Sequence, residues 1–177
     1  KQLQKECYQV DDDMRWLVAL ISDTGIRLAE ATGLKTEDLK LNQEHPHITL
    51  KPYSHRSLKT KASERVIPLV GASLWAAQRI AVSTQSDFCF PRYTNSESCN
   101  SNSASAAINK WVKTVVGDDA VVHGLRHSFR DRLRQTEAPI EVIDQLGGWS
   151  LRTVGQSYGN GHTLEILTKW MRTIVEV

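Results

Sequence analysis

Apolar residues recur at helical spacing over most of the chain. Three aspartates at 11–13 precede apolar positions 14, 16, 17, 20 and 21, which predicts an acid-capped helix that Gly25 ends. A short helix is predicted at residues 27–32, closed by Gly33. The same spacing predicts helices at residues 74–81, with Ser73 as the cap, and at 104–116, 125–135 and 140–146.

The tail carries the clearest helical pattern of the chain. Its apolar residues fall at i, i+3, i+4, i+7 and i+8 from Leu167 to Val175, which predicts a helix at residues 163–176. A stripe this broad needs a partner surface. The helix either folds back on its own domain or packs in trans on a neighbouring copy, and both alternatives stay open.

Two segments in the first half of the chain have strand character. Residues 47–50 and 64–69 alternate or cluster apolar side chains, and they flank a basic stretch at residues 51–61. We expect a small antiparallel sheet with a basic hairpin. Residues 93–103 are rich in Asn and Ser, which predicts a surface loop. The fold class is therefore mainly α with a small antiparallel β-sheet (α+β), in a single domain spanning 1–177.

Composition narrows the class of protein. The chain has 177 residues, of which 40% are hydrophobic and 24% charged, as in a globular domain. No apolar run approaches the ~18 residues of a membrane span, and the N-terminus has no signal core. Because the sequence does not begin with Met, we expect a fragment of a longer protein.

Net charge and cysteine spacing say less about the class of protein. A net charge of +2 is weak evidence for a nucleic-acid partner, since a basic face can coexist with an acidic one. The three cysteines, Cys7, Cys89 and Cys99, form no Cys-x-x-Cys pair, which favours reduced thiols in the cytoplasm over disulfides or a zinc site.

Two arginines stand out as a clamp for a phosphodiester. Arginine donates bidentately to phosphate oxygens and keeps its charge, so it can neutralise the charge of a reacting phosphate. Arg27 opens a predicted helix, where a cation is unfavourable unless it serves an anion, and Glu30 can orient it by an i,i+3 contact. Arg126 is the second clamp, and His123, three residues before it, lies on the same side of a helix or turn.

The histidine pair His123 and His127 has two interpretations. His123 can hydrogen-bond a phosphate or move a proton near neutral pH. A His-x-x-x-His pair can also bind a metal, but no third ligand lies nearby in the sequence and Arg126 between them repels a cation. We therefore predict no metal, and His127 as a packing residue or a hydrogen-bond partner within the site.

Tyr158 is the candidate nucleophile among four tyrosines. A phenol has a pKa near 10, so it attacks phosphorus only beside cations and a proton acceptor. The flanking Gly159 and Gly161 favour placement at the end of an element and not in a core.

Four motifs in order resemble the tyrosine recombinases of the phage integrase family, over nearly the whole chain. They are TGIRLAE at 24–30, HGLRHSF at 123–129, LGGWS at 146–150, and Tyr158 nine residues after Trp149. Trp149 stands where histidine is more frequent in the family, which limits it to indole N–H donation and packing against the phosphate site. Gly124 stands where an acidic residue is common.

The resemblance implies a site and a mechanism. The catalytic residues are Arg27, Lys59, His123, Arg126, Trp149 and Tyr158, with Lys61 as the alternative general acid to Lys59. Tyr158 would cleave a DNA strand through a 3′-phosphotyrosyl intermediate, and a 5′-hydroxyl from the partner duplex would rejoin it, with no metal, cofactor or ATP. The implied partners are double-stranded DNA, a homotetramer on two duplexes and accessory DNA-bending proteins, in the cytoplasm at the nucleoid. An upstream DNA-binding domain would lie outside this chain.

Three rival functions share some of these residues. A type IB topoisomerase has a similar Arg, Lys, His and Tyr set but only relaxes DNA. A decayed DNA-binding module would keep the fold without the activity, and a metal-dependent hydrolase would use His123 and His127. The complete set of site residues and the tail helix after Tyr158 favour recombination.

Overall fold

The computed structural model describes residues 1–149 and 161–176, which form eight α-helices around one small sheet. The expected fold class, mainly α with a small antiparallel β-sheet, is confirmed. The helices are α1 (Gln2–Val10), α2 (Asp13–Thr24), α3 (Leu28–Thr32), α4 (Gly71–Ser83), α5 (Ser101–Val116), α6 (Val122–Gln135), α7 (Ile140–Gly147) and α8 (Leu164–Glu176), and the strands are β1 (Leu39–Lys40), β2 (His47–Leu50) and β3 (Arg65–Pro68).

The sheet has the order β1-β2-β3 with antiparallel neighbours. Leu50 pairs with Arg65 and His47 with Pro68, so residues 51–64 connect the two longer strands. The predicted sheet with its basic connection is confirmed. Strand β1 was not predicted, because two residues are too few to show an alternating pattern.

Helix α2 lies at the centre of the core. Its residues from Leu17 to Thr24 are all buried, and the Asp12 carboxylate caps its first turn by accepting from the Arg15 backbone N–H at 3.0 Å. Gly25 ends the helix at φ 59°, with the Phe129 ring 2.2 Å from the position of an added Cβ. The predicted acid-capped helix ended by Gly25 is confirmed, and this end fixes the turn that leads to α3.

Three predicted helix starts were wrong, each placed too late. Helix α4 begins at Gly71, so Ser73 lies in its first turn, where its Oγ accepts from the Val70 N–H at 3.1 Å. Helix α5 begins at Ser101 with Asn100 as its cap, and α6 begins at Val122. Residues 71–73, 101–103 and 122–124 include few large apolar side chains, so the hydrophobic periodicity starts after the helix does.

The loop predicted at 93–103 is also partly wrong. Residues 101–103 are helical, and Tyr93 and Thr94 are buried. The Thr94 hydroxyl donates to the Thr32 carbonyl at 2.9 Å, so this end of the segment packs against α3.

Helix α8 covers its own domain in this single chain. Leu167, Met171 and Ile174 are buried in a cluster with residues of α6 and α7, including Phe129 and Leu146. Packing in trans on a neighbouring protomer stays a prediction. None of the helices within residues 1–149 and 161–176 is long and apolar enough to cross a membrane.

Candidate active site

Arginines from α3, β3 and α6 reach the end of α7, and the first of them is Arg27. Arg27 is the N-cap of α3, and Glu30 in the first turn accepts from its backbone N–H at 3.1 Å and from its Nη1 at 2.7 Å. The predicted orientation of Arg27 by Glu30 is confirmed. Arg27 Nη2 also donates to the Gly148 carbonyl at 3.3 Å, which brings the guanidinium to the end of α7.

Arg126 reaches the same place from α6. Its side chain is buried, with Nη1 donating to the Gly25 carbonyl and Nη2 to the Gly147 carbonyl at 2.5 Å. One guanidinium therefore joins the turn before α3 to the end of α7. Burial, followed by the charges of Arg27 and Arg65, lowers the pKa of Arg126 to about 9. An anion beside it would relieve this cost, because it compensates the buried charge.

Trp149 contacts the apolar core and also packs against the guanidinium groups of Arg126 and Arg130. Gly148 ends α7 at φ 62°, and the Trp149 N–H then donates to the Asp144 carbonyl at 3.0 Å. This turn places the indole ring 4.3 Å from the Arg126 guanidinium and 4.8 Å from that of Arg130. The ring lies 1.7 Å from the position of an added Cβ on Gly147, so a residue without a side chain is needed there.

A recess of about 170 Å³ opens beside the clamp. Arg27, His123 and Arg126 line it together with Ser105 and apolar side chains of α2, α3 and α6. A cavity of about 10–15 Å³ already holds one water molecule, so the recess has room for a tetrahedral phosphate. The structure thus brings three of the predicted site residues to one cavity.

His123 lies in the first turn of α6 with its ring 5.0 Å from that of His127. Partial burial, followed by His127, Arg126 and Arg27, lowers the pKa of His123 from its usual value. These surroundings favour the neutral ring, which can donate from one nitrogen and accept at the other. Within the described parts of the chain, no group of three or more His, Cys, Asp or Glu side chains could hold a metal ion.

The sequence did not point to Arg65 and Ser63, which complete the site. Arg65 begins β3 and is buried, with Nη2 donating to Glu30 at 3.2 Å and Nε to the Leu146 carbonyl at 2.9 Å. The Ser63 hydroxyl accepts from Arg27 Nη1 at 3.0 Å. A charged residue at the start of an otherwise apolar strand was the available signal for Arg65, whereas no sequence signal pointed to Ser63.

The charges of the site do not cancel. Arg27 and Arg65 share the single carboxylate of Glu30, and Arg126 is paired with backbone carbonyls. Three guanidinium groups against one carboxylate leave an excess of positive charge in a mostly buried place. Such an arrangement favours binding of an anion, because buried charges are stable only when they are paired.

Among the described residues, no side-chain contact joins either candidate lysine to the clamp. The side chains of Lys59 and Lys61 are exposed, and neither makes a hydrogen bond or ion pair with another described residue. Their role as general acid stays a prediction. Tyr158 lies outside the described residues, so its role as nucleophile also stays a prediction.

The other three tyrosines are unsuited to attack phosphorus. Burial raises the pKa of Tyr8, Tyr53 and Tyr93. The Tyr53 hydroxyl oxygen also lies 2.8 and 2.6 Å from the Glu37 and Asp38 carboxylates, which accept its one proton between them and raise its pKa further. A phenolate is the reactive form, so these environments disfavour nucleophilic chemistry.

The four arginines of α6 do not form a free cationic face. Arg130 lies 3.5 Å from Asp144, and Arg132 pairs with Asp23 at 2.8 Å. Arg126 is buried in the site, so only Arg134 of these four α6 arginines is exposed, near Asp131 at 3.3 Å. Most of the positive charge of this helix stabilises the domain.

Comparison with known proteins agrees with this geometry. A protein-family model described as the phage integrase family matches residues 1–163. The tyrosine recombinase XerD of Corynebacterium glutamicum is 30% identical over 156 residues, which cover 84% of this chain and 48% of that protein. Tyrosine recombinase XerC of Mycobacterium bovis is 26% identical over 145 residues, covering 81% and 48%. The chain spans about half the length of the curated relatives it matches.

Solved structures share the fold. The Tn1549 transposon integrase in complex with circular intermediate DNA superposes with a TM-score of 0.55 at 19% identity, over 86% of this chain and 55% of the integrase chain. The same integrase in complex with transposon right end DNA gives a TM-score of 0.54 at 18% identity, over 89% and 57%.

Proposed function

Because the chain belongs to the phage integrase family, we propose that it is the catalytic domain of a site-specific DNA recombinase. Its reaction would be the cleavage and rejoining of DNA strands through a 3′-phosphotyrosyl intermediate at Tyr158. The guanidinium groups would supply the positive charge that a metal ion supplies in other phosphoryl-transfer sites.

One observation carries the proposal. Arg27 and Arg126 donate to the consecutive carbonyls of Gly148 and Gly147, and both line the recess that His123 also lines. Two planar cations at adjacent positions match the non-bridging oxygens of a phosphodiester. The excess positive charge then has a natural counter-ion.

The remaining roles follow from the chemistry. The Tyr158 oxygen forms a bond to phosphorus while the bond from phosphorus to the 5′ oxygen breaks. Lys59 donates a proton to that leaving oxygen, with Lys61 as the alternative, and neutral His123 hydrogen-bonds the phosphate or accepts the phenol proton. Trp149 holds Arg126 in place through its ring. A 5′-hydroxyl from the partner duplex then attacks the phosphotyrosyl bond, so no ATP is consumed.

The same proposal extends to the partners of the whole protein. The integrase of similar fold was solved in complex with DNA, and we propose double-stranded DNA as the substrate of this chain. Four copies would assemble on two duplexes, with accessory DNA-bending proteins and with α8 able to pack in trans. An upstream DNA-binding domain would clamp the duplex, and the protein would act in the cytoplasm at the nucleoid.

Covalent trapping tests the proposal. Nicked duplexes carrying the end sequences of the element that encodes the chain are incubated with protein at low salt, and an SDS-resistant, protease-sensitive adduct is measured. Wild type should form the adduct and Tyr158→Phe should not. Tyr8→Phe is the matched control, because the Tyr8 side chain is 46% exposed and does not line the recess.

Other outcomes identify other functions. DNA binding without an adduct would indicate a DNA-binding module, and relaxation of supercoils without junction formation would indicate a topoisomerase. Loss of activity with a chelator would indicate a metal-dependent hydrolase.

A further inference from the structure

Ser63 is a fully buried residue whose backbone and side chain are both engaged. Its N–H donates to the Thr60 carbonyl at 3.0 Å, and its carbonyl accepts from Arg65 Nη1 at 2.7 Å. Its Oγ accepts from Arg27 Nη1 at 3.0 Å and lies 3.1 Å from the Thr60 hydroxyl oxygen. Four hydrogen bonds to three residues make it the junction between the clamp and the connection from β2 to β3.

On one side of this junction lies the segment that carries both candidate lysines. Thr60 stands between Lys59 and Lys61, and it caps the 3₁₀ turn Lys61–Ser63. The side chains of Lys59 and Lys61 are exposed, so the part of their placement that the fold fixes is the backbone from which they start. That backbone is held by the Ser63 contacts to Thr60.

On the other side lies the clamp. Arg27 Nη1 is shared between Glu30 at 2.7 Å and Ser63 at 3.0 Å. Arg65, in β3, donates to the Ser63 carbonyl, to the Glu30 carboxylate of α3 and to the Leu146 carbonyl of α7. The junction is therefore attached to β3, α3 and α7. A shift of Ser63 would therefore move the lysine segment relative to Arg27.

We propose that Ser63 is a positioning residue that places the general-acid lysine against the leaving oxygen of the phosphate held by Arg27. This inference rests on the proposed function. Ser63 does not touch the substrate. It acts through Thr60 on the lysine. Its contact with Arg27 fixes the distance between the proton donor and the arginine that binds the phosphate.

A change of leaving group separates proton donation by the lysine from the other steps of cleavage. A 5′ alkoxide is a poor leaving group and needs a proton as the phosphorus–oxygen bond breaks. When sulfur replaces the bridging 5′ oxygen, Tyr158 attacks in the same way, the phosphorus–sulfur bond breaks, and the sulfur departs as a thiolate. A thiol has a pKa near 8.5, so its anion leaves without a proton from the lysine.

The experiment compares both substrates across three variants of the full chain. The probes are nicked duplexes tiling the ends of the encoding element, made with either a 5′ bridging oxygen or a 5′ bridging sulfur. Ser63→Ala removes both side-chain contacts, and Thr60→Val removes one of them at an exposed position. Ser73→Ala is the control, because Ser73 is equally buried and its hydroxyl bonds to the backbone of Val70, the residue before α4.

On the oxygen substrate, Ser63→Ala should lower the rate of adduct formation by about 10- to 100-fold, the scale of a misplaced catalytic group. Thr60→Val should lower it less, and Ser73→Ala should match wild type. On the sulfur substrate, Thr60→Val should recover the wild-type rate, and Ser63→Ala should recover most of it. Urea unfolding of each variant checks that it is folded under the assay conditions.

Two results would overturn the inference. An equal fractional loss on both substrates would show that Ser63 acts before proton transfer, through Arg27 or folding alone. Wild-type rates for Ser63→Ala on both substrates would show that it has no role. If wild type forms no adduct with either substrate, the proposed function itself fails, which is a separate result.

Discussion

Glu30→Gln is the substitution that tests most directly how the site is held together. The Glu30 side chain is 4% exposed, as is that of Arg65, and its two oxygens accept from Arg27 Nη1 at 2.7 Å and Arg65 Nη2 at 3.2 Å. Glutamine has the same shape but carries an NH₂ group in place of one oxygen. That group must face one of the two guanidinium groups, donor against donor.

The expected cost follows from these contacts. A hydrogen bond to a charged group contributes ~1.5–3 kcal/mol, and the substitution weakens two of them. Removing one partner of a buried ion pair costs about 3–5 kcal/mol, because the other charge is left without compensation. Arg27 is 26% exposed, so water screens its share and Arg65 carries the larger part. We expect the free energy of unfolding to fall by about 3–5 kcal/mol.

Urea unfolding followed by circular dichroism measures this cost. With an m value of ~2 kcal/mol/M, the midpoint should fall by about 2 M without a change in m. Glu64→Gln is the matched control on the neighbouring segment, where the side chain is exposed and the change should stay within about 0.5 kcal/mol. A Glu30→Gln midpoint within experimental error of wild type would refute the view that this carboxylate holds the two arginines.

Three further predictions address other parts of the molecule. Gly25→Ala should lower the free energy of unfolding by more than about 1 kcal/mol, because φ is 59° and the Phe129 ring lies 2.2 Å from the new Cβ; an unchanged urea midpoint would contradict this. The folded-state pKa of His123 is lowered, so its stabilising contribution is present above the unfolded value of ~6.5 and falls as pH drops below it. Its NMR titration midpoint should lie below ~6.5 in the free chain, and a midpoint above that value would be evidence against the cationic surroundings. Met171→Ala should cost about 2–5 kcal/mol in thermal unfolding of the monomer, and an unaffected monomer would mean that α8 does not pack on its own domain in solution.

Local physics made much of the fold predictable. The aspartates before α2, the glycine after it and the apolar spacing of α8 act over a few residues, so the sequence displays them directly. The pairing of Arg27 with Glu30 is likewise an i,i+3 contact that spacing reveals. The order of the four motifs indicated the family, and the match over residues 1–163 agrees with it.

The sequence alone indicated candidate residues for the chemistry, while the tertiary structure decided which of the described candidates meet and what holds them. Arg27 donates to the Gly148 carbonyl, 121 positions away, and Arg126 to the Gly25 carbonyl, 101 positions away. Every residue has a backbone carbonyl, so residue type does not reveal which one an arginine will contact. Arg65 and Ser63 matter for the same reason, since their contacts depend on where the connection from β2 to β3 crosses α3 and α7. Long-range packing sets those distances, and no local pattern in the chain encodes them.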